Sequence, residues 1–274
     1  MKSLQSAISD CVFPGAMVAI GGQNMLRNPV ASSLEIVSQG ITDLYLVGCN
    51  LSISGDILVA SGSVQRIACG TMNFEVFGVP GAMRWAAESG DLSIVDQDHH
   101  SVLARLAAAR SGAPFAALPF NSALSWQLRL VEDFPDEFFI LENAPFCSHD
   151  VLLASPLRPD VCLLHVQASD EDWNLYVDGP QTFDIDLALS SQCILVTCEE
   201  IKGSKQCVAA FGKPFFSGAY VDRVVCVPGG GRPTSVPGYY ASDNVLANNY
   251  IEAAKGGEAF TNCIKLLRDA LQLE

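Results

Sequence analysis

Apolar and polar residues alternate along this chain in two different rhythms. Short, continuous apolar runs are separated by longer segments in which apolar residues recur every three or four positions. A continuous apolar run is typical of a strand that is buried on both faces, and the longer spacing is typical of an amphipathic helix. The alternation therefore predicts an α/β fold: an open, mostly parallel sheet with helices on both faces.

The pattern predicts eight strands and eight helices. The strands are Met17–Ile20, Leu44–Val47, Arg66–Ala68, Leu92–Val95, Phe138–Leu141, Val161–His165, Cys193–Thr197 and Val224–Val227. The helices are Leu4–Cys11, Pro29–Gln39, Gly55–Ala60, Gly81–Glu88, Ser101–Ser111, Phe183–Ser190, Val245–Ala254 and Ala259–Leu271. The stretch Pro119–Pro135 has little periodicity and is expected to run as an excursion over the active face. We expect one domain over residues 1–274, with an inserted subregion near 119–156.

The first strand ends in a glycine pair, Gly21-Gly22, and a helix follows shortly after it. Asn28 is a preferred N-cap residue, and Pro29 is well suited to the first helical position. A helix that starts after such a turn directs free N–H groups at whatever lies above the sheet. With Arg27 in the turn, the site is suited to an anion. The alternative is an ordinary strand–helix turn, with Arg27 paired to Glu35 or solvated.

Further along the chain, Glu75, His99 and His165 stand in contexts that suit chemistry. Glu75 lies between aromatic residues, which would desolvate the carboxylate for acid/base work; alternatively it caps the next helix. His99 lies where a strand leads into a helix, a usual place for catalytic groups in open sheets, or is merely a helix-start residue. With His100 it lacks an evident third ligand, so we expect no metal site. His165 ends a strongly apolar strand and is expected to support the pocket structurally.

The composition argues against some classes of binding partner and favours one cellular location. The net charge of −14, from 30 acidic and 16 basic residues, argues against nucleic acid and anionic membranes. Ten cysteines at scattered spacings, with no CxxC pair, favour a reduced, cytoplasmic protein. No apolar run reaches the roughly 18 residues that a spanning helix needs, so we expect a soluble chain.

Six segments of this sequence, taken in order, resemble the A-type (alpha) subunit of the glutaconate CoA-transferase family. They span nearly the whole chain: the glycine turn and helix from Val18 to Gly48, Phe74–Gly78, Ala113–Phe115, His165–Gln167, Val196–Ile201, and Val227–Asp243 with its PGGGRP and GYY motifs. Each segment is weakly specific alone, and their shared order carries the resemblance.

The resemblance implies a two-subunit enzyme, a heterodimer or heterotetramer with a beta-type partner. A glutamate of the beta subunit would attack an acyl-CoA, and a carboxylic acid, expected to be dicarboxylic, would then receive CoA. Coenzyme A would enter as a substrate bound mostly by the partner, with no permanently bound cofactor. On this chain, the candidates for substrate binding are Gly21, Gly22, Arg27, Asn28 and Arg232. Arg27 is the expected ligand of the distal carboxylate.

Three positions depart from the family pattern. Arg232 replaces a usual histidine, and Trp173 replaces a usual glycine. His99 stands where relatives similar to steroid-ring-opening hydrolases carry a glutamate, and it is with Glu75 a candidate catalytic residue. These departures keep two alternatives open. One is a CoA-thioester hydrolase, a carbon–carbon-cleaving hydrolase or a decarboxylase of the same superfamily, and the other is a non-catalytic scaffold or binding subunit.

Overall fold

Parallel strands form the centre of the structure, a computed structural model that describes residues 3–254 and 257–273. In chain order the strands are β1 (Met17–Ile20), β2 (Leu44–Leu51), β3 (Val64–Met72), β4 (Ser93–Asp96), β5 (Ala116–Pro119), β6 (Phe138–Leu141), β7 (Val151–Ala154), β8 (Val161–Asp170), β9 (Leu175–Tyr176), β10 (Cys193–Lys202) and β11 (Arg223–Cys226). The main sheet has the order β11-β10-β8-β1-β2-β3-β4, and β9 is added antiparallel to β8. All other pairs in this sheet are parallel, which confirms the predicted fold class.

The helices cover both faces of the main sheet. They are α1 (Leu4–Cys11), α2 (Val30–Ser38), α3 (Ile53–Ala60), α4 (Gly81–Ser89), α5 (His99–Ser111), α6 (Ser125–Asp133), α7 (Asp184–Ser190), α8 (Ser204–Phe211), α9 (Asn244–Ala253) and α10 (Gly257–Ala270). Helices α1–α4, α9 and α10 contribute to the core on one face, whereas α5 and α7 contribute to the core on the other. None of the helices within the described residues is both long and apolar enough to cross a membrane.

Strand β8 illustrates how the sequence produces two cores. Val161 and Leu163 pack into one core, and Cys162 and Leu164 between them pack into the other. Successive side chains of a strand point to opposite faces, so a strand between two helical layers must be apolar at every position. That requirement explains the continuous apolar runs of the sequence.

A second, antiparallel sheet with the order β5-β7-β6 lies in the stretch where the sequence shows little periodicity. Helix α6 occupies Ser125–Asp133, so the predicted excursion at Pro119–Pro135 is wrong for its second half. The helix packs Leu130 into the core together with half-buried Trp126 and Phe134, a four-residue spacing. Exposed Leu124 and Leu128 obscure that periodicity in the sequence.

Buried Asp56 ties together three helices on one side of the sheet. Its carboxylate accepts hydrogen bonds from the backbone N–H of Met83 in α4, at 2.9 Å, and from the hydroxyl of Tyr250 in α9, at 2.8 Å. Burial raises the pKa of Asp56 to about 6, and these hydrogen bonds only partly offset the effect.

Candidate active site

The carboxyl ends of the parallel strands meet at one edge of the main sheet. Gly21 and Gly22 follow β1 there, as predicted, and His99 begins α5 just after β4. This edge is the usual position of ligand sites in open α/β sheets. Within the part of the chain described here, no three His, Cys, Asp or Glu side chains are grouped so as to hold a metal ion.

The glycine turn encloses a carboxylate of the chain itself. Gly22 has a φ of +83°, and its N–H donates to Asp184 Oδ1 at 2.8 Å. A Cβ on Gly21 would lie 2.3 Å from the Leu164 side chain and 2.9 Å from Asp184 Oδ1. Gly21 therefore needs to be glycine because β8 and α7 approach the turn so closely, and Gly22 because its φ is left-handed and a Cβ would lie 2.7 Å from the carbonyl oxygens of Leu26 and Arg27. The turn does bind an anion, but the anion is Asp184.

Arg27 is the cationic partner of that carboxylate. The residue is 0% exposed, and its Nη1 lies 2.8 Å from Asp184 Oδ2 in an ion pair buried on both sides. Its Nη2 donates to the carbonyl oxygen of Pro180 at 2.6 Å. The guanidinium thus already has a neutralising partner, so this geometry does not support the expected contact with a substrate carboxylate. Pairing with Glu35 is also ruled out, because Glu35 pairs with Arg268.

Asn28 holds the turn rather than capping α2. Helix α2 begins at Val30 with Pro29 in the N-cap position and no side-chain cap, so the predicted N-cap is wrong. The Asn28 side chain instead donates to the carbonyl oxygen of Asn24 at 2.5 Å and accepts from the N–H of Ser54 in α3 at 3.3 Å. It is 2% exposed, and therefore supports the turn from inside.

Glu75 follows the carboxyl end of β3, in a single-turn 3₁₀ helix with a φ of +53°. Its side chain is exposed, whereas the neighbouring Phe74 is buried edge-on against Tyr250 with ring centroids 6.2 Å apart. The aromatic neighbour therefore does not desolvate the carboxylate. The alternative, a cap on α4, is also not found, since Asp56 accepts from the first turn of that helix.

His99 lies half-buried in a polar and aromatic contact network. Its Nε2 is 2.5 Å from Asn50 Oδ1, and the Thr71 hydroxyl donates to the same oxygen at 2.8 Å. Phe183 stacks on the ring at a centroid distance of 5.8 Å. A Cβ on Gly70 would come within 2.8 Å of His99 Cγ and Cδ2, so glycine lets the ring lie against β3. Phe183 directly precedes Asp184, which links His99 to the glycine turn.

His165 is the centre of a second, fully buried network. Its Nδ1 lies 2.9 Å from Thr197 Oγ1 and its Nε2 lies 2.7 Å from Glu199 Oε1. Thr197 in turn donates to the carbonyl oxygen of Leu164 at 3.2 Å. The same Glu199 oxygen accepts from the Tyr240 hydroxyl at 2.5 Å. His165 thus has the structural role expected from its apolar strand.

Glu199 remains ionised within this network. Burial raises its pKa, but the hydrogen bond and charge of His165 and the hydrogen bonds from Gly229 and Tyr240 outweigh burial, so the pKa of Glu199 is lowered. The pKa of Tyr240 is raised by burial and by the adjacent carboxylate, so its hydroxyl stays a donor. The Glu199 carboxylate therefore accepts hydrogen bonds from its neighbours and holds them in place.

The PGGG loop, Pro228–Gly231, packs directly against the His165 ring. A Cβ on Gly230 would lie 2.8 Å from the carbonyl oxygen of Val227, and one on Gly231 would lie 3.0 Å from the His165 ring. The Gly230 carbonyl oxygen also accepts from the N–H of Ala31 at 2.9 Å, which joins the loop to the start of α2. The three segments that contain His165, Glu199 and the glycines thus meet in one place.

Arg232 follows the glycines, and its guanidinium lies over the Tyr240 ring, with Cζ 4.5 Å from the centroid. The side chain is half-buried, and among the described residues no carboxylate lies within ion-pair distance of it. Trp173, the other departure, has a φ of +64°, which explains a glycine at this turn in other sequences.

The site also contains residues that sequence reasoning did not select, namely Asp184, Glu199, Asn50 and Phe183. Register explains why Glu199 was missed. Thr197 pairs with His165 across β10 and β8, so Glu199, two residues further on, returns to the same face. The spacing of two is visible in the sequence, but the pairing of strands about thirty residues apart is not.

Comparisons with known proteins agree on one family. Residues 1–226 match the model of the coenzyme A transferase family. The chain is 31% identical over 271 residues to the A-type subunit of glutaconate CoA-transferase from Acidaminococcus fermentans, a match covering 95% of this chain and 85% of the relative. It is 30% identical over 269 residues to the A-type subunit of 3-oxoadipate CoA-transferase from Pseudomonas knackmussii, with 95% and 90% covered.

Two solved structures share the fold at more than 25% identity. The glutaconate CoA-transferase of Acidaminococcus fermentans superposes with a TM-score of 0.87 at 26% identity, covering 97% of this chain and 87% of that chain. A variant of the decarboxylase AibA/AibB superposes with a TM-score of 0.84 at 28% identity, covering 98% and 97%. This chain therefore belongs to the coenzyme A transferase family, as an A-type (alpha) subunit.

Proposed function

We propose that this chain and a beta-type partner form an enzyme that moves CoA from an acyl-CoA to a dicarboxylic acid. The observation that carries this proposal is that two relatives at least 30% identical, matched over nearly the whole chain, are A-type subunits of CoA-transferases named for dicarboxylic acids. CoA thioesters are the substrates of this family. The dicarboxylic acceptor and the heterodimeric or heterotetrameric assembly belong to the proposal.

The covalent step falls to the partner. A beta-subunit glutamate attacks the acyl-CoA carbonyl and releases the CoA thiolate, giving a mixed anhydride. The thiolate then attacks the glutamyl carbonyl, giving a glutamyl-CoA thioester and the free acid. The carboxylates at the edge of this chain support that division of labour. Asp184 is paired with Arg27, and Glu199 accepts from His165 and Tyr240, so neither is available as a nucleophile.

Arg232 replaces Arg27 as the proposed ligand of the distal carboxylate. It keeps an unneutralised, planar guanidinium on a rigid loop, which suits two parallel hydrogen bonds to a carboxylate. Arg232→Ala should raise the KM for the acceptor about 10- to 100-fold, corresponding to roughly 1.5–3 kcal/mol. Arg232→Lys should recover only part of the loss, because it restores charge without the fork. Exposed Arg129 on α6 provides the matched control, Arg129→Ala.

The second candidate is decarboxylation or hydrolysis of a CoA thioester. It is favoured by the likeness to the decarboxylase AibA/AibB and by the half-buried His99 at the carboxyl edge of the sheet, which is the proposed base. In that case His99→Ala should lower the rate by about 10²–10⁴-fold, and no covalent CoA adduct should form on the partner.

Trapping the covalent intermediate distinguishes CoA transfer from decarboxylation or hydrolysis. The assembled complex is incubated with acyl-CoA and treated with hydroxylamine or borohydride, and both proteins are then characterised by mass spectrometry. Transfer predicts a modified beta-subunit glutamate, both with native alpha chain and with His99→Ala. An unmodified beta subunit in a complex that still consumes acyl-CoA would reject the transfer proposal. Full activity of both His99→Ala and Arg232→Ala would instead indicate a scaffold role.

A cytoplasmic location is part of the same proposal. All ten cysteines are free thiols, and a chain with that many unpaired cysteines suits a reducing compartment.

A further inference from the structure

The His99 network has a property that none of the comparisons assigns: it selects one of the two neutral forms of the imidazole. Asn50 Oδ1 faces His99 Nε2 at 2.5 Å, and an amide oxygen can only accept. Nε2 must therefore carry the hydrogen when the ring is neutral. The lone pair is then on Nδ1, and no described residue lies within hydrogen-bond distance of that atom.

The acceptor oxygen is itself held in place. The Thr71 hydroxyl donates to Asn50 Oδ1 at 2.8 Å, and Asn50 and Thr71 are register partners on adjacent strands β2 and β3. The same amide oxygen thus lies between the Thr71 hydroxyl and the His99 ring, and the pairing of β2 with β3 keeps Asn50 and Thr71 side by side.

The ring has little freedom to turn over. Phe183 stacks on its face with an interplanar angle of 23°, and the Cγ–Cδ2 edge packs against Gly70 of β3. The Nδ1–Cε1 side is consequently turned away from that strand. A flip would exchange the ring atoms and break the hydrogen bond to Asn50.

We propose that Asn50, oriented by Thr71, is a positioning residue that keeps His99 in the Nε2–H form and leaves Nδ1 as the proton acceptor. The inference rests on the second candidate function, decarboxylation or hydrolysis of a CoA thioester, in which His99 is the base. A proton taken from substrate or water goes to Nδ1, and the resulting imidazolium keeps its Nε2–H bond to Asn50. An amide oxygen stabilises that cation without adding a competing charge.

The surroundings do not supply a stronger partner for the ring. The elements packed around His99 carry titratable and charged groups: Tyr45 and Cys49 on β2, Arg66 and Cys69 on β3, Asp96 and Asp98 before α5, His100, Arg105 and Arg110 on α5, and Asp184 and Asp186 on α7. Burial raises the pKa of both thiols to about 12, so they stay neutral. Asp98 accepts from the N–H of Ser101, and Asp186 pairs with Arg110.

The test measures which nitrogen of the His99 ring carries the hydrogen. The complex is assembled from this chain carrying ¹⁵N-labelled histidine and an unlabelled partner, and the His99 nitrogens are assigned among the four histidines of this chain by loss of signal in His99→Gln. We expect hydrogen on Nε2 and a lone pair on Nδ1 at neutral pH. In Asn50→Ala the two neutral forms should mix, and Thr71→Val should do the same to a smaller extent.

The activity measurements supply a second readout. Asn50→Asp places a charge beside the ring, favours the imidazolium, and should move the acid limb of the pH–rate profile to higher pH by about one unit or more. Asn248→Asp, on the exposed side of α9, adds the same charge as a control and should leave the profile unchanged.

Two failures are distinguishable. Hydrogen on Nδ1 in the native complex, or a native-like nitrogen spectrum in Asn50→Ala, would overturn the positioning role whatever the activity. If the spectra are as expected but His99→Ala and Asn50→Asp leave every rate and profile unchanged, the proton-acceptor role at this site fails, while the orientation of the ring stands.

Discussion

The buried pair of Arg27 and Asp184 allows a sharp test of whether the glycine turn binds substrate or stabilises the fold. Arg27→Ala would leave a carboxylate that is 1% exposed with one remaining donor among the described residues, the N–H of Gly22. Removing one member of a buried ion pair costs about 3–5 kcal/mol, because the other charge stays uncompensated. At about 2–4 °C per kcal/mol, the melting temperature of the complex should fall by roughly 6–20 °C.

The double variant Arg27→Met/Asp184→Leu separates the charge from the packing. Since it leaves no unpaired charge, it should be destabilised by less than the sum of the two single variants. Melting temperatures of the native, Arg27→Ala, Arg27→Met, Asp184→Leu and double-variant complexes are measured at one protein concentration, together with the acceptor KM at a temperature where each is folded. A melting temperature within about 2 °C of native for Arg27→Ala, with a KM raised 10- to 100-fold, would refute the reasoning and restore the substrate role.

Three further predictions concern single groups. Because the pKa of Asp56 is raised to about 6, its contribution to stability is present below pH 3.8 and is lost as the pH rises through 6, a loss of about 3 kcal/mol. Asp56→Asn should remove this pH dependence from the urea midpoints measured between about pH 4 and 7. If the midpoints of the variant changed with pH as steeply as those of the native complex, the raised pKa of Asp56 would be contradicted. The pKa of Glu199 is lowered, so its contribution to the free energy of unfolding is present above pH 4.5 and is lost as the pH falls through the lowered value. Glu199→Gln should therefore reduce the loss of stability at acid pH, measured by the same urea midpoints. An equally steep loss in the variant would argue against this role. Gly70→Ala should displace the His99 ring, reduce turnover and lower the melting temperature, because its Cβ meets the ring at 2.8 Å and the Cys49 carbonyl oxygen at 3.0 Å. Gly81→Ala, where a Cβ meets open space, should leave turnover unchanged. Equal turnover in the two variants would count against the ring contact.

The sequence was sufficient for the fold because periodicity is a local property. Every predicted strand and helix overlaps an observed one, since buried parallel strands must be apolar throughout and helices must repeat every three to four residues. The strand Phe138–Leu141 was found but belongs to the small antiparallel sheet. Strands β8 and β10 extend to Asp170 and Lys202, well beyond their apolar runs; the polar residues at the end of β8 are buried, and those at the end of β10 are half-buried.

The site was predictable only in part, because its contacts join distant segments. The sequence indicated that Gly21 and Gly22 form a turn suited to an anion, and the structure has that turn. It could not show that Asp184, more than 150 residues away, would occupy it and engage Arg27. The same limit applies to His99, whose partner Asn50 is 49 residues distant and unremarkable in its local context.

The dependence of acyl-CoA turnover on an acceptor acid tests the central claim most directly. The alpha–beta complex is given an acyl-CoA with and without a dicarboxylic acid, and acyl-CoA, acceptor-CoA, free CoA and carbon dioxide are followed together. With the acceptor, a transferase forms one acceptor-CoA for each acyl-CoA consumed. Without the acceptor, it consumes at most one equivalent of acyl-CoA per active site. Neither protein is active alone. Sustained turnover without acceptor, releasing carbon dioxide or free CoA, would contradict the account.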